Sequence, residues 1–341
     1  MAMMFLDSFD HYADTTLKWS IPGPNSGFST IPGTVRTGIQ SLIVNGASGG
    51  GGPILNFAVR NTLIVGMAFQ TDGFDITPDL FLSFRNSAVS AVTVGLYVTQ
   101  AGAIEVAIGN EPVQIVIGTS APNLVTADVY CYVECEATFM PNPTGSVIVR
   151  VNEIEVLNLQ GVTTTAGGVT GSDGFQLGGE GTRIHYFDDL YLFDSTGSVN
   201  NTFAGAVQIF ALVPNANETP LAFVPLAGTN FSEVNQIPPP GDASYVSSST
   251  IGAIDQYQHK GDLPAGAYSM SGLQHVICCR LDAAGAHTVQ SQIGANTGSV
   301  LGSPGATYKM IIQPWDTNPE TGLGWRLSDL NATFMGPSIT A

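Results

Sequence analysis

The chain has 341 residues with 27 acidic and 10 basic side chains, a formal net charge of −17 and a pI near 4.3, and only 11% of its positions are charged. That balance excludes a nucleic-acid binder, which needs Lys and Arg to displace counterions from phosphates, and it offers nothing to an anionic membrane surface. With 44% hydrophobic residues, 40 Gly and 20 Pro, the chain is composed for a large core in a turn-rich globular fold rather than for a disordered acidic tail.

The length suggests two domains. The opening residues Met1 to Asp10 contain no basic n-region and no apolar run of signal length, and no stretch of 18 apolar residues follows. The expectation is a chain that is neither exported by a signal peptide nor inserted in a membrane. Four cysteines, Cys131, Cys135, Cys278 and Cys279, are too few for a disulfide framework and are expected as reduced, mostly buried thiols.

Along the chain, alternation with period two recurs in short runs bounded by Gly, Pro, Asn and Asp, while periods of three and four are hard to find. The Gly-rich Ser48–Gly52 reads as a loop, with no Lys or helix start to make it a phosphate cradle. Val92, Val94, Leu96 and Val98, then Ile104, Val106 and Ile108, then Val113, Ile115 and Ile117 predict a three-stranded meander. Val147, Val149 and Val151 run into Asn152-Glu153 and then Ile154-Glu155-Val156, which predicts a tight hairpin although Gly would suit its second turn position better than Glu. The aromatic strand Tyr186–Asp194 gives way to the polar Ser195–Asn201, and the domain boundary is placed there: 1–196 and 197–341. Beyond it the pattern predicts a strand over Phe203–Val213, a Pro-rich loop at Ile237–Gly241 and a hairpin from Gln274–Leu281 through Ala283–Ala286. Strands are also predicted over Tyr308–Gln313 and Gly324–Leu327. Strands at this spacing without helical stretches between them point to an all-β sandwich.

Candidate chemistry is sparse. Gly46-Ala47-Ser48-Gly49-Gly50 matches a nucleophile-elbow spacing but lacks the strand-to-helix context that elbow requires. Glu153 and Glu155 are two apart, as acids on one strand face would be, but a third acid is missing and Glu153 falls in the predicted turn, so solvated charges are the favoured reading. Asp188-Asp189 reads as a hydrogen-bonding pair in preference to a cation site. The histidines and cysteines have no spacing that forms a metal site, and no cofactor is expected. Trp315 and Trp325 flank an acidic turn; core packing is the favoured reading, and contact with a glycan or a partner is the alternative that makes them the only candidate site residues.

Taken together, the opening Asp7–Asp14, Asn61–Phe69, Gly145–Asn152, Tyr186–Leu192, Gly197–Asn201, Ile254–Tyr257, Asn318–Trp325 and Leu327–Ala332 resemble, in order, a family of tailed-bacteriophage virion proteins. That family is built on a concanavalin A-like lectin/glucanase sandwich. The resemblance implies a concanavalin A-like jelly-roll sandwich over 1–196, followed by a second, smaller β-sandwich over 197–341. It implies a non-enzymatic structural component of a bacteriophage particle, a head decoration or a tail-fibre protein, whose partners are other virion proteins and further copies of itself, a trimer being favoured. It places the protein in the virion, assembled in the host bacterial cytoplasm. Two other readings stay open: a receptor-binding fibre that recognises a host surface glycan, and, more remotely, a polysaccharide depolymerase.

Overall fold

The computed structural model describes residues 2–20, 28–46, 51–89, 91–109, 114–260, 263, 269–282 and 287–340. The predicted loop at 48–50, Val113 and the predicted turn Ala283–Ala286 lie outside the described residues. The first part of the chain forms strands β1 (Met3–Asp7), β2 (Phe28–Pro32), β3 (Gln40–Asn45), β4 (Ile54–Arg60), β5 (Thr62–Thr71), β6 (Asp79–Asn86) and β7 (Ala91–Val98). It continues with β8 (Ile104–Ile108), β9 (Ile115–Thr119), β10 (Cys131–Thr138), β11 (Gly145–Val151), β12 (Ile154–Val162), β13 (Ser172–Glu180) and β14 (Ile184–Asp194). They make two antiparallel sheets. One has the order β12-β11-β10-β5-β14-β3-β2 with β1 also on β14, and the other the order β4-β13-β6-β7-β8-β9. The all-β jelly-roll sandwich expected from the sequence is the observed fold.

Alternation explains the layers. Val94, Leu96 and Val98 of β7, Ile104, Val106 and Ile108 of β8, Val133 and Cys135 of β10, and Val147, Val149 and Val151 of β11 all point into one shared core. Phe69 stacks on Phe81 at 4.3 Å and so joins the two sheets. Each such large side chain stabilises the fold by about 1.5–3 kcal/mol on burial. The predicted meander is β7-β8-β9. The hairpin is also as predicted, with Asn152 and Glu153 both in the left-handed region (φ 49° and 68°). Arg150 donates from Nε and Nη2 to the Glu153 carbonyl at 3.1 and 2.7 Å, holding a turn that the Glu Cβ resists.

β14 is the spine of its sheet. Residues 184–187 pair with β3 and residues 190–193 with β1, which therefore lie end to end along one side, while β5 flanks the other. Between the two halves sits a bulge at Asp188-Asp189, with Asp189 at φ 48°.

After β14 the structure departs from the expected strand over Phe203–Val213: only Val213 begins a strand. The preceding residues instead form a strap over the outer face of the eight-stranded sheet, where Phe203, Ala204 and Val207 pack on Met3, Ile64, Tyr132, Tyr191 and Phe193. The strap makes no strand because its backbone donors are taken by side chains. Gly205 N donates to Glu134 Oε1 (2.8 Å), Ala206 N to Glu153 Oε1 (3.1 Å) and Ile209 N to Asp189 Oδ1 (2.7 Å).

The remaining strands are β15 (Val213–Leu221), β16 (Val224–Pro225), β17 (Val246–Ser247), β18 (Asp255–Lys260), β19 (Leu273–Cys279), β20 (Val289–Ile293), β21 (Asn296–Thr297), β22 (Lys309–Trp315) and β23 (Phe334–Ile339). A five-stranded sheet, β15-β18-β23-β20-β21, is joined by the ribbons β16-β17 and β19-β22. Two expectations are corrected here. β19 does not form a hairpin with the strand that follows it but pairs with β22, residue 273 opposite 315 and 279 opposite 309. Gly324 makes an isolated bridge to Thr317, and Leu327–Asn331 is a 3₁₀ turn rather than a strand. An apolar pattern of four residues is too short to separate the two. The β19-β22 ribbon also closes the edge of β1. The Gln274 side chain pairs with both backbone groups of Leu6 (2.7 and 2.8 Å), and Asp316 accepts from Ala2 N and Met3 N (3.1 and 2.7 Å). Side chains thus do what a further strand would do for an exposed edge.

Candidate functional site

Because side chains alternate, the inward rows of the six-stranded sheet dictate what lies on its outer face. The register places Ile54, Gln176, Ser83, Gly95, Ala107 and Val116 side by side across all six strands. The centre of this row is small. On one side of it, Arg85 of β6 stands opposite Gly174, which in turn faces Asn56. On the other side, Leu80, Tyr97, Glu105 and Thr119 follow one another across β6, β7, β8 and β9. A Cβ on Gly174 would meet nothing nearer than 3.6 Å. This outer face carries amide, guanidinium, hydroxyl and carboxyl groups over a floor of small residues; Ser83, Thr93, Gln176 and Tyr97 are buried in it, and the groups that reach solvent are Asn56, Thr119 and, in part, Arg85 and Glu105.

Arg85 is the charged centre of this face. Its Nη1 donates to Gln176 Oε1, and Gln176 Nε2 donates to the Gly52 carbonyl at 3.3 Å. Among the described residues Arg85 has no ion pair, in contrast to Lys18, Arg36, Arg60, Arg150 and Arg280, each of which meets a carboxylate. The Ser83 and Thr93 hydroxyls on the same face are buried without a hydrogen-bond partner, while Asn56 and Thr119 are exposed and Arg85 and Glu105 half-buried. Burial pushes the Glu105 carboxyl above its ordinary range. Tyr97 is buried, and its ring lies over Gly95. At one end of the face, Tyr97, Asp75, Asp79 and Thr182 line a pocket of about 150 Å³.

The residues singled out from the sequence lie elsewhere. Trp325 is 4% exposed and gives its indole N–H to the Trp315 carbonyl at 2.7 Å; Trp315 is half-buried, donates to Ser291 Oγ at 3.3 Å, and packs with Trp325, Leu273, Ile293, Leu330 and Met335 in the second core. Both indole N–H groups are thus used inside the protein.

Glu153 occupies the hairpin turn and holds the strap, and Glu155 accepts from Asn158 Nδ2 at 3.1 Å on exposed β12. Asp188 accepts from Arg36 N and Thr37 N (2.8 and 3.0 Å). Asp189 accepts from Arg36 Nη1, Thr37 Oγ1 and Ile209 N (2.6, 2.8 and 2.7 Å). Burial and the neighbouring Asp189 carboxylate push Asp188 up to about 7. The pair is a latch filled with donors, and no group of three or more His, Cys, Asp or Glu fit to hold a metal is found among the described residues. None of the four cysteines forms a disulfide; Cys131 and Cys135 are buried and Cys278 and Cys279 half-buried. The signal for the outer face was present in Asp79–Asn86, where Ser83 and Arg85 alternate with Leu82 and Phe84, but alternation alone does not say which polar row is solvated and which carries a ligand.

No family model matches the sequence, and no curated protein matches it. Among solved structures the chain is similar to the endo-β-1,4-glucuronan lyase from the fungus Trichoderma reesei, with 14% identity and a TM-score of 0.44 over 56% of this chain and 95% of that one. It is similar to the cellulose-induced protein Cip1, with 15% identity and a TM-score of 0.42 over 60% of this chain and 100% of that one. It is also similar to the carbohydrate esterase vb_24B_21 from Shiga toxin-encoding bacteriophage phi24B, with 12% identity and a TM-score of 0.38 over 55% of this chain and 99% of that one. At these scores the fold assignment rests on the sheets themselves.

Proposed function

We propose that this chain is a structural and binding subunit of a bacteriophage particle, and that the outer face of its six-stranded sheet engages saccharide. The observation that carries the binding reading is Arg85: a half-buried guanidinium bonded to a neutral amide and, among the described residues, to no carboxylate, on the same face as Asn56 and a floor of small residues. Recognition of a hydroxylated ligand uses convergent polar groups on a rigid, otherwise apolar scaffold, and both sheet strands and hydroxyl-rich rows supply that here. The division of labour follows the division of the chain, with 1–196 presenting the ligand face and 197–341 serving contacts with other virion proteins and further copies, after the strap that returns over the sandwich. The particle reading rests on the order of sequence segments that resemble the phage virion family, and with it come assembly in the host cytoplasm and a trimeric state. Binding without turnover is the favoured mode.

The test is a titration of the full chain with the surface polysaccharide of a host, read by calorimetry, alongside Arg85→Ala and Gln176→Glu. The second variant places a carboxylate where the neutral amide was and neutralises the guanidinium. Both should lose binding by at least tenfold, with circular dichroism matching that of the parent to show that each variant is folded. Equal affinity in the parent and both variants would remove the sheet face from the argument, and release of reducing ends or unsaturated sugars by the parent would replace binding with depolymerisation.

A further inference from the structure

The connection from β5 to β6 and the turn from β13 to β14 meet at the small pocket, and its chemistry is one-sided. Asp79, at the start of β6, is 1% exposed. Its Oδ1 accepts from Thr182 N at 3.1 Å, and Gly181 packs against that same oxygen so closely that no Cβ would fit. Its Oδ2 has no hydrogen-bond partner, although the residue lines the pocket. Asp75 lines the same pocket, accepting from Ile76 N at 2.8 Å and from the Thr182 hydroxyl. Asp72 stands close enough to raise Asp79, as does Asp75, on top of burial. Arg183 lies close enough to lower both carboxyls, gives Nη2 to the Phe74 carbonyl at 2.8 Å, leaves its Nε without a hydrogen bond and, among the described residues, makes no ion pair. Two carboxylates line the pocket, and a buried carboxylate oxygen without a donor calls for a partner that a cation in the pocket would supply.

We infer that this pocket binds a hard divalent cation, calcium above all, through the Asp79 and Asp75 carboxylates, with hydroxyl, carbonyl and water oxygens completing the shell. Magnesium fits less well, because it demands near-ideal octahedral geometry at short distances, whereas calcium accepts irregular oxygen shells. Two carboxylates are a low ligand charge, which places the affinity in the weak class of about 10⁻⁴–10⁻³ M. Cation binding in this pocket does not depend on saccharide binding at the adjacent sheet face.

Tyr97 on the pocket wall supplies the readout, since a tyrosine excited in the ultraviolet sensitises the luminescence of a terbium ion bound beside it. The full chain is titrated with terbium, and the signal is then displaced with calcium. The expected result is a saturable emission reversed by millimolar calcium, with affinity reduced at least tenfold in Asp79→Asn and sensitisation reduced in Tyr97→Phe. Absence of saturable emission in the parent, or equal affinity in Asp79→Asn, overturns the site. Should Asp79→Asn fail to fold, Asp75→Asn takes its place in the same titration, and the parent's melting temperature is read with and without about 10 mM calcium: no rise overturns the site.

Discussion

Acid should unfold this protein well before its carboxylates as a class are protonated. His185, His259 and His275 are 2%, 8% and 8% exposed. Burial pushes His185 and His259 down to about 4 and His275 down to about 3, the last helped by the His259 ring whose centroid lies 6.1 Å away. A histidine neutral in the fold but free to charge at 6.5 in the unfolded chain lends stability that is complete above pH 6.5. That stability is lost as pH falls from there towards the folded value. Between pH 7 and 5 each of the three forfeits nearly 2 kcal/mol at about 1.36 kcal/mol per pKa unit, between about 5 and 6 in all. Asp188 works the other way. Raised to about 7 by burial and by Asp189, it takes up its proton in the fold first and returns about 2 kcal/mol over the same interval.

These four groups alone give a loss of about 3 kcal/mol from pH 7 to pH 5; His11, pushed down to about 3 by burial and by Lys18, deepens it, and the raised carboxyls of Asp10, Asp79 and Asp189 offset it. Urea unfolding at pH 7, 6 and 5 measures it as a falling midpoint at constant slope. His275→Gln keeps a polar partner for Ser291 Oγ, which lies 2.7 Å from His275 Nδ1, yet removes one titrating group, so its pH dependence should be shallower by about one proton. Stability that is flat, or that rises, from pH 7 to 5 would refute the account.

Two further outcomes follow from buried charge. Asp7 is held by Lys18 Nζ at 3.2 Å, Tyr12 Oη at 2.7 Å, Trp19 Nε1 at 3.0 Å and Phe9 N at 2.9 Å, and neither side chain of the ion pair reaches solvent. Lys18→Met strands the carboxylate and should cost about 3–5 kcal/mol in urea unfolding, with Asp7→Asn added in the same chain recovering part of it; a cost below about 1 kcal/mol would count against the pair. Glu134, buried, gathers Tyr191 Oη at 2.6 Å, Gly205 N at 2.8 Å and Arg150 Nη1 at 3.2 Å, and Arg150 also lies over the Phe203 ring at 5.1 Å. Glu134→Ala should free the strap, so that chymotrypsin cuts after Phe203 many times faster than in the parent; an unchanged cleavage rate would show that apolar packing alone holds the strap down.

Period-two alternation made the sandwich readable because each of its strands has one apolar face committed to a single core: Val92–Val98, Ile104–Ile108 and Val147–Val151 are all strands, and the Asn152-Glu153 turn closes where two residues of turn type separate two such runs. The same rule failed where burial is shallow. Phe203–Leu212 looks like a strand by composition, yet its hydrogen-bonding partners are side chains of Glu134, Glu153 and Asp189, contacts spanning up to 71 positions that no local pattern encodes. In the second part the core is a handful of residues around Trp325, so pairings are set by long-range register, and β19 finds β22 across the intervening β20 and β21. Trp315 and Trp325 drew attention as aromatic residues beside acids. The residues of the sheet face, Arg85 and Gln176, are unremarkable in sequence and become a pair only when β13 is laid against β6.

The distribution of cations ties fold to function. Of the five ion pairs among the described residues, four use a carboxylate that is itself buried: Asp7, Asp189, Asp194 and Glu134. Two of these pairs act as latches between distant segments, Arg36 reaching Asp189 and Arg60 reaching Asp194, while Arg150 meets Glu134 directly across from it on the neighbouring strand, beneath the strap. Five of the 10 basic residues are committed in this way, while Asp10, Asp79, Asp188, Glu233 and Asp255 are buried and, among the described residues, are held by hydrogen bonds without a cation. Arg85, like Arg183, Lys309 and Arg326, makes no ion pair among the described residues; it is set on a sheet face and bonded to an amide. Its half-desolvated charge, met by no carboxylate among the described residues, is a cost to the fold. On the proposed function, a ligand oxygen would offset that cost by accepting from the guanidinium N–H groups that Gln176 Oε1 leaves free.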